Sequence, residues 1–167
     1  MLQTFQQSSQ PAAHPPRLAL LRAAMAAKGL DAFLIPRADA HQGEYVADAD
    51  ARLRWLTGFS GSAGIAIVTA SQAGVLVDGR YKVQARAELD PSAFAAVDFP
   101  ATRPADWLRA ALPEGGRVGF DPWLHTHREI SDLREKLGGG FTLIPVDNLV
   151  DQVWADRPAP PSGLVRL

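Results

Sequence analysis

The sequence predicts an α/β protein: a three-layer α/β/α sandwich on a mixed, mostly parallel sheet with one antiparallel hairpin. Three observations carry this. Short apolar runs such as AFLIP (32–36), GVLV (74–77) and FTLIPV (141–146) are bounded by Gly, Pro or Asp, as buried strands are. The segments between them repeat their apolar residues at helical spacing. One pair of runs is joined by only Ala70-Ser71-Gln72-Ala73, too short for a crossover and therefore a hairpin.

Residues 1–14 are rich in Gln, Ser and Pro without an apolar period and predict a disordered, mobile tail. Pro15-Pro16 opens a helix, because proline suits the first turn, where its missing N–H would have had no partner. Leu18, Leu21 and Met25 share one face of it, and Gly29 supplies the left-handed stop. A strand follows over 32–36, then a short helix or turn over 50–56 that ends at Gly58. Ala63–Thr69 and Gly74–Val77 form the hairpin, and Asp78-Gly79 ends its second strand. Tyr81, Gln84, Ala85 and Glu88-Leu89 recur at helical intervals before the breaker Asp90-Pro91. Ala93–Phe99 is a third strand. Pro104 starts a helix that buries Trp107, Leu108 and Ala111, and residues 113–116 end it. After a strand at Val118–Phe120, Thr126 and Glu129 have capping-box spacing, with Ile130, Leu133 and Leu137 on one face behind them. Gly138-Gly139-Gly140 stops this helix before the buried strand at 141–146. Val150, Val153 and Trp154 suit a last short helix. The domain thus runs over 15–154. Residues 155–167 form a proline-rich linker toward further domains, with a tail docked back on the domain as the other reading.

At 167 residues and 47% hydrophobic composition, the chain has the size of one domain plus tails. Its 17 basic and 18 acidic residues leave a net charge of −1, with no basic excess to neutralise nucleic-acid phosphates. It has no cysteine, so neither disulfides nor thiolate metal sites arise. No apolar run approaches a membrane span, and a cytoplasmic protein is the expectation.

The spacing of Gly58, Gly61 and Gly64 tempts a phosphate-loop reading, but an apolar strand follows them, not a helix N-terminus, and no Gly-Lys-Ser/Thr is present. Close backbone packing at the start of a strand is the reading that fits. Ser62 lacks the glycine spacing of a nucleophile elbow. His125 and His127 have strand spacing for half a metal site, yet they precede the capping box and suit a solvated turn. Asp39, Glu44, Asp48 and Asp50 surround His41 loosely, without the rigid scaffold a two-metal centre needs, and Asp39 and Asp48 equally suit turns or caps. Arg80 follows Asp78-Gly79 where a strand turns into a helix. Its guanidinium there could clamp a carboxylate or carbonyl, or form a surface pair with Glu44 or Asp78. Of the four tryptophans, core packing accounts for most, and Trp55 and Trp154 are alternatively interface anchors.

Several segments, in one order, carry a resemblance. They are Asp39-Ala40-His41-Gln42-Gly43-Glu44-Tyr45, Gly58–Gly64, Asp78-Gly79-Arg80-Tyr81, Pro113–Gly119 and Asp121-Pro122. Leu143-Ile144-Pro145-Val146, Asn148–Asp151 and Trp154-Ala155-Asp156-Arg157-Pro158 complete the set. From Arg17 to Arg157 the chain resembles the N-terminal domain of the cytosolic-type Xaa-Pro aminopeptidases, in the creatinase/prolidase superfamily (peptidase M24). Lys82-Val83 replaces the usual Phe-Leu, and Gly43 stands where Ser is common.

The resemblance implies a ribonuclease-H-like fold and a parent of three domains. The last of these would hold two divalent ions, often manganese, and remove the residue preceding a proline. No catalytic or metal ligand of that centre falls in this chain. The domain is expected to roof the active site and help select short proline-containing peptides. It would adjoin the middle and catalytic domains, in a parent that is a homodimer. By position, Arg80 and His41 are its candidate substrate-binding residues. A stand-alone binding or assembly domain of the same fold is the alternative function; a small hydrolase using the Asp39–Asp50 cluster has little support.

Overall fold

The computed structural model describes residues 13–162; the stretches 1–12 and 163–167, where much of the predicted tail and the end of the predicted linker fall, lie outside the described residues. One sheet contains β1 (Ala32–Pro36), β2 (Ile65–Thr69), β3 (Ala73–Val77), β4 (Ala95–Asp98), β5 (Gly116–Phe120) and β6 (Phe141–Pro145), in the spatial order β4-β3-β2-β1-β5-β6. The pairs β1–β5, β5–β6 and β3–β4 are parallel, whereas β2 runs antiparallel to both β1 and β3. The predicted mixed, mostly parallel sheet is therefore observed, and the reversed strand β2 accounts for all of its antiparallel pairing.

Side chains alternate across each strand and so build two cores. Phe33, Ile35, Ala66, Val68, Val75 and Val77 face one side. There they meet α1 (His14–Ala27), α2 (Arg52–Thr57), α3 (Lys82–Glu88) and α6 (Leu149–Val153). Leu34, Ile67, Leu76 and Val118 face the other side, under α4 (Pro104–Ala111) and α5 (His127–Leu137). This is the three-layer sandwich. On the first side α1 buries Leu18, Leu21 and Met25, each fully buried side chain contributing about 1.5–3 kcal/mol.

The punctuating residues act as their chemistry requires. Gly58, with φ of 80°, ends α2, and Thr126 and Glu129 close a reciprocal capping box on α5. Gly74 lies under an indole: a Cβ there would sit 2.8 Å from Trp107 Nε1, so the strand can pass beneath α4 only without a side chain.

Four expectations change. His14, assigned to the mobile tail, is buried as the first residue of α1. The strand at 141–146 is an edge strand with only Leu143 buried, because it has a single neighbour in the sheet. On α4 it is Ala105 and Leu108 that are buried, while Trp107 and Ala111 are half-buried. Trp55 and Trp154 stack on each other, with ring centroids 5.2 Å apart and planes 19° from parallel, and Trp154 is buried. Trp154 is therefore a core residue, and Trp55 packs half-buried against it.

With β2 alone reversed, β1, β3, β4, β5 and β6 end along one edge of the sheet, where β2 begins. Loops at the carboxyl ends of parallel strands are where α/β folds place ligands. Both candidate site residues lie on that edge.

Candidate functional site

Three strand exits there carry an aspartate, directly after β3 and β5 and three residues after β1, that accepts the backbone N–H two residues ahead. After β1, Asp39 Oδ1 accepts from His41 N at 2.9 Å and Gly43 N at 3.0 Å. After β3, Asp78 Oδ1 accepts from Arg80 N at 2.9 Å. After β5, Asp121 Oδ1 accepts from Trp123 N at 2.9 Å, and its Oδ2 accepts from Asn148 Nδ2 at 3.0 Å. An aspartate bonded in this way bends the chain sharply and fixes the residue two positions on. The three residues so fixed are His41, Arg80 and Trp123, and all three are exposed.

Arg80 is the most firmly built. Its Nη2 lies 2.7 Å from Asp78 Oδ2 and its Nε 3.1 Å from Oδ1, a two-pronged pair. The guanidinium also sits 5.2 Å above the Tyr81 ring. Tyr81 in turn hydrogen-bonds Ser62 and meets Phe59 edge-on at 5.8 Å. A Cβ at Gly61 would be 2.2 Å from Phe59 Cζ and 2.8 Å from Tyr81 Cδ1. The glycine segment is thus the buttress for the ring beneath Arg80, which explains its spacing without a phosphate. Asp78 has the role sequence reasoning gave it in one of two readings, and Glu44 does not. The side chain of Arg80 nonetheless remains 71% exposed, so the guanidinium is held in place and still open to a ligand. The arginine's own hydrogen bonds hold the Asp78 carboxyl below its ordinary value.

His41 sits in a tighter bend. Gln42, beside it, has a φ of 55°, a left-handed conformation that costs a non-glycine residue about 1 kcal/mol or more. Hydrogen bonds, first from Gly43 and then from His41, hold the Asp39 carboxyl below 3.8.

The loose acidic cluster around His41 is not brought together. Asp39 is engaged by its own turn. Asp50 accepts from Arg52 Nη1 at 3.0 Å and Arg157 Nη2 at 3.2 Å. Among the described residues, no three His, Cys, Asp or Glu side chains converge as a metal site. These donors, already held by amides and guanidinium groups, do not fit a pair of divalent ions. The expected solvated turn is not what the structure has: His127 is exposed but is the first residue of α5, and His125 is half-buried, edge-on to Phe120 at 5.9 Å, with Nε2 unpartnered; burial holds His125 below 6.5. Trp123, 74% exposed, escaped sequence reasoning, which assigned tryptophans to the core. The signal available was the strand-terminal Asp two residues before it, repeated from Asp39 and Asp78.

The chain matches the Creatinase/Prolidase N-terminal domain over residues 17–153. It is 39% identical over 145 residues to Aminopeptidase P2 of Arabidopsis thaliana, covering 83% of this chain and 20% of that protein. To the probable Xaa-Pro aminopeptidase P of Coccidioides posadasii (strain C735) it is 43% identical over 164 residues, covering 94% and 25% respectively. The crystal structure of an X-prolyl aminopeptidase from Caenorhabditis elegans, described as a cytosolic enzyme with a di-nuclear active site, superposes with a TM-score of 0.79 at 37% identity. That match covers 87% of this chain and 26% of the other. The chain therefore spans only a fifth to a quarter of the curated relatives it matches. No helix among the described residues is long and apolar enough to cross a membrane.

Proposed function

The chain belongs to the Creatinase/Prolidase N-terminal domain family, and on that premise we propose that it is the non-catalytic N-terminal domain of a metal-dependent aminopeptidase that releases the residue preceding a proline. The observation that carries this reading is the proportion of the match: two relatives named as aminopeptidases are matched over nearly the whole of this chain but only 20% and 25% of their own length. The reaction centre, with two divalent ions such as manganese, then belongs to the part of the protein that this chain does not span. Of the acids near His41, Asp39 is held by amides of its own turn and Asp50 by two arginines.

In this reading the carboxyl edge of the sheet roofs the active site of a cytosolic, homodimeric enzyme. Arg80, pre-oriented by Asp78 and Tyr81, offers its guanidinium to a carbonyl or carboxylate of a short peptide, and His41 stands on the same edge. The exits of β1 and β3 flank β2, so they lie about 10 Å apart at ordinary strand spacing. That separation suits two contacts along one extended peptide.

Steady-state kinetics on the protein carrying this domain together with its catalytic part test the reading. Arg80→Ala should lower kcat/KM for Xaa-Pro peptides about tenfold, about 1.4 kcal/mol, with unchanged thermal stability. Unchanged kinetics on several peptides would remove Arg80 from the substrate contact. The 167-residue chain alone, supplied with manganese, should show no turnover; measurable hydrolysis would refute the proposed division between domains.

A further inference from the structure

A cleft of about 530 Å³ lies between the first turn of α4, α5 and the sheet, and opens at the carboxyl edge. Its volume falls within the range of sites for small organic ligands. It is deep: Leu34 and Leu76, only 1% and 2% exposed, form its floor, and Ile130 lines one wall. Its polar groups are unevenly engaged. Each rim carboxylate has a partner: Asp78 is bound by Arg80, Glu129 closes the capping box, and Asp132 faces Arg128 at 4.0 Å. Arg103 and Lys136, by contrast, have no carboxylate partner among the described residues. The Arg37 guanidinium donates to a backbone carbonyl, that of Glu44, at 3.0 Å. His125 lines the same space, with its Nε2 closed off from solvent.

Paired acids and unpaired cations give the rim a positive field over an apolar, low-dielectric floor. From this combination we propose that the cleft binds a small amphiphilic carboxylate, its apolar body against Leu34, Leu76 and Ile130 and its carboxylate at the basic rim. A cationic amphiphile of the same length is repelled by that rim, and the site therefore discriminates by head-group charge.

Isothermal titration of the 167-residue chain with dodecanoate, below its micellar concentration, and with dodecyltrimethylammonium as the matched-tail cation tests this. Dodecanoate should bind saturably at one site, and the cation should not bind at the same concentrations. The double variant Arg103→Glu, Lys136→Glu, which alters only exposed side chains, should bind dodecanoate at least tenfold more weakly. Leu133→Trp, which fills the cleft without touching a charge, should weaken binding similarly if it folds. The proposal is overturned if dodecanoate shows no saturable binding, if the two amphiphiles bind alike, or if charge reversal leaves the affinity unchanged.

Discussion

At Gly61 one methyl group would collide with two rings, and the identity of those rings decides the consequence. Phe59 is buried and cannot yield, so Tyr81 must shift, and with it the platform under Arg80. Gly61→Ala is expected to destabilise the domain by about 1–3 kcal/mol, as overpacking does, read from urea unfolding midpoints. Gly79→Ala is the control: nothing lies within 4 Å of its added Cβ, so its change should stay within about 0.5 kcal/mol. A neutral Gly61→Ala would mean that the segment is not a buttress. Single residues also show what sequence alone conceals. Asp39 and Asp48 suit turns or caps in the sequence, and a metal cluster around His41 is the less favoured reading. Only the coordinates reveal that the Asp39 carboxylate is directed at amides two and four residues along its own chain.

At the scale of elements the sequence is far more legible, because helices and strands announce themselves through local periodicity and punctuation. Pro15-Pro16, Gly29, Gly58 and the Thr126–Glu129 box mark boundaries by effects confined to a turn or two of chain. What stays hidden is which elements meet. The edge position of β6 and the Trp55–Trp154 stack depend on contacts between distant segments. The same is true of the clasp joining α2 to α6, whose partners are 99 residues apart. There Arg52, 7% exposed at its side chain, donates to Asp151 through Nε at 2.7 Å and Nη2 at 2.9 Å. Arg157, in the stretch expected to be linker, adds Nη1 at 2.8 Å to the same carboxylate and donates from Nε to the Ala49 carbonyl. The two arginines predict different costs. Asp151→Ala removes two of the three carboxylate hydrogen bonds of the buried Arg52 guanidinium, leaving it Asp50 alone, and should cost about 2–3 kcal/mol. Arg157→Ala removes a more exposed partner and should cost no more than about 1 kcal/mol. Chemical denaturation of both variants checks the ratio. Equal losses would place Arg157 in the structural framework of the domain, on a par with the buried pair.

Over the whole molecule, the shifted histidines and aspartates make stability depend on pH in one direction. Burial holds His14 below 6.5, aided by Arg17 and opposed by the Trp55 and Leu56 backbone and by Asp90. Burial likewise lowers His125, against the pull of Glu129 and Asp121. Between the folded and unfolded ionisations the unfolded chain binds more protons, so acid favours unfolding. The histidine contribution is complete above pH 6.5 and is lost as pH falls through the folded values. Hydrogen bonds hold Asp39 and Asp90 below 3.8 in the fold, the latter chiefly through Ser92, so their contribution persists to that pH and is lost only lower down. The midpoint of thermal unfolding should therefore be flat above neutrality, decline below pH 6.5, and fall again below pH 4. Replacing both shifted histidines, His14→Gln with His125→Gln, removes the groups responsible for the first decline and leaves the carboxylates untouched. Melting curves between pH 8 and pH 3 should then lose the upper stage and keep the lower one. If the double variant declines as steeply between pH 6.5 and pH 5 as the parent, the upper stage belongs to other groups, and the two cores tolerate charged histidine at no cost.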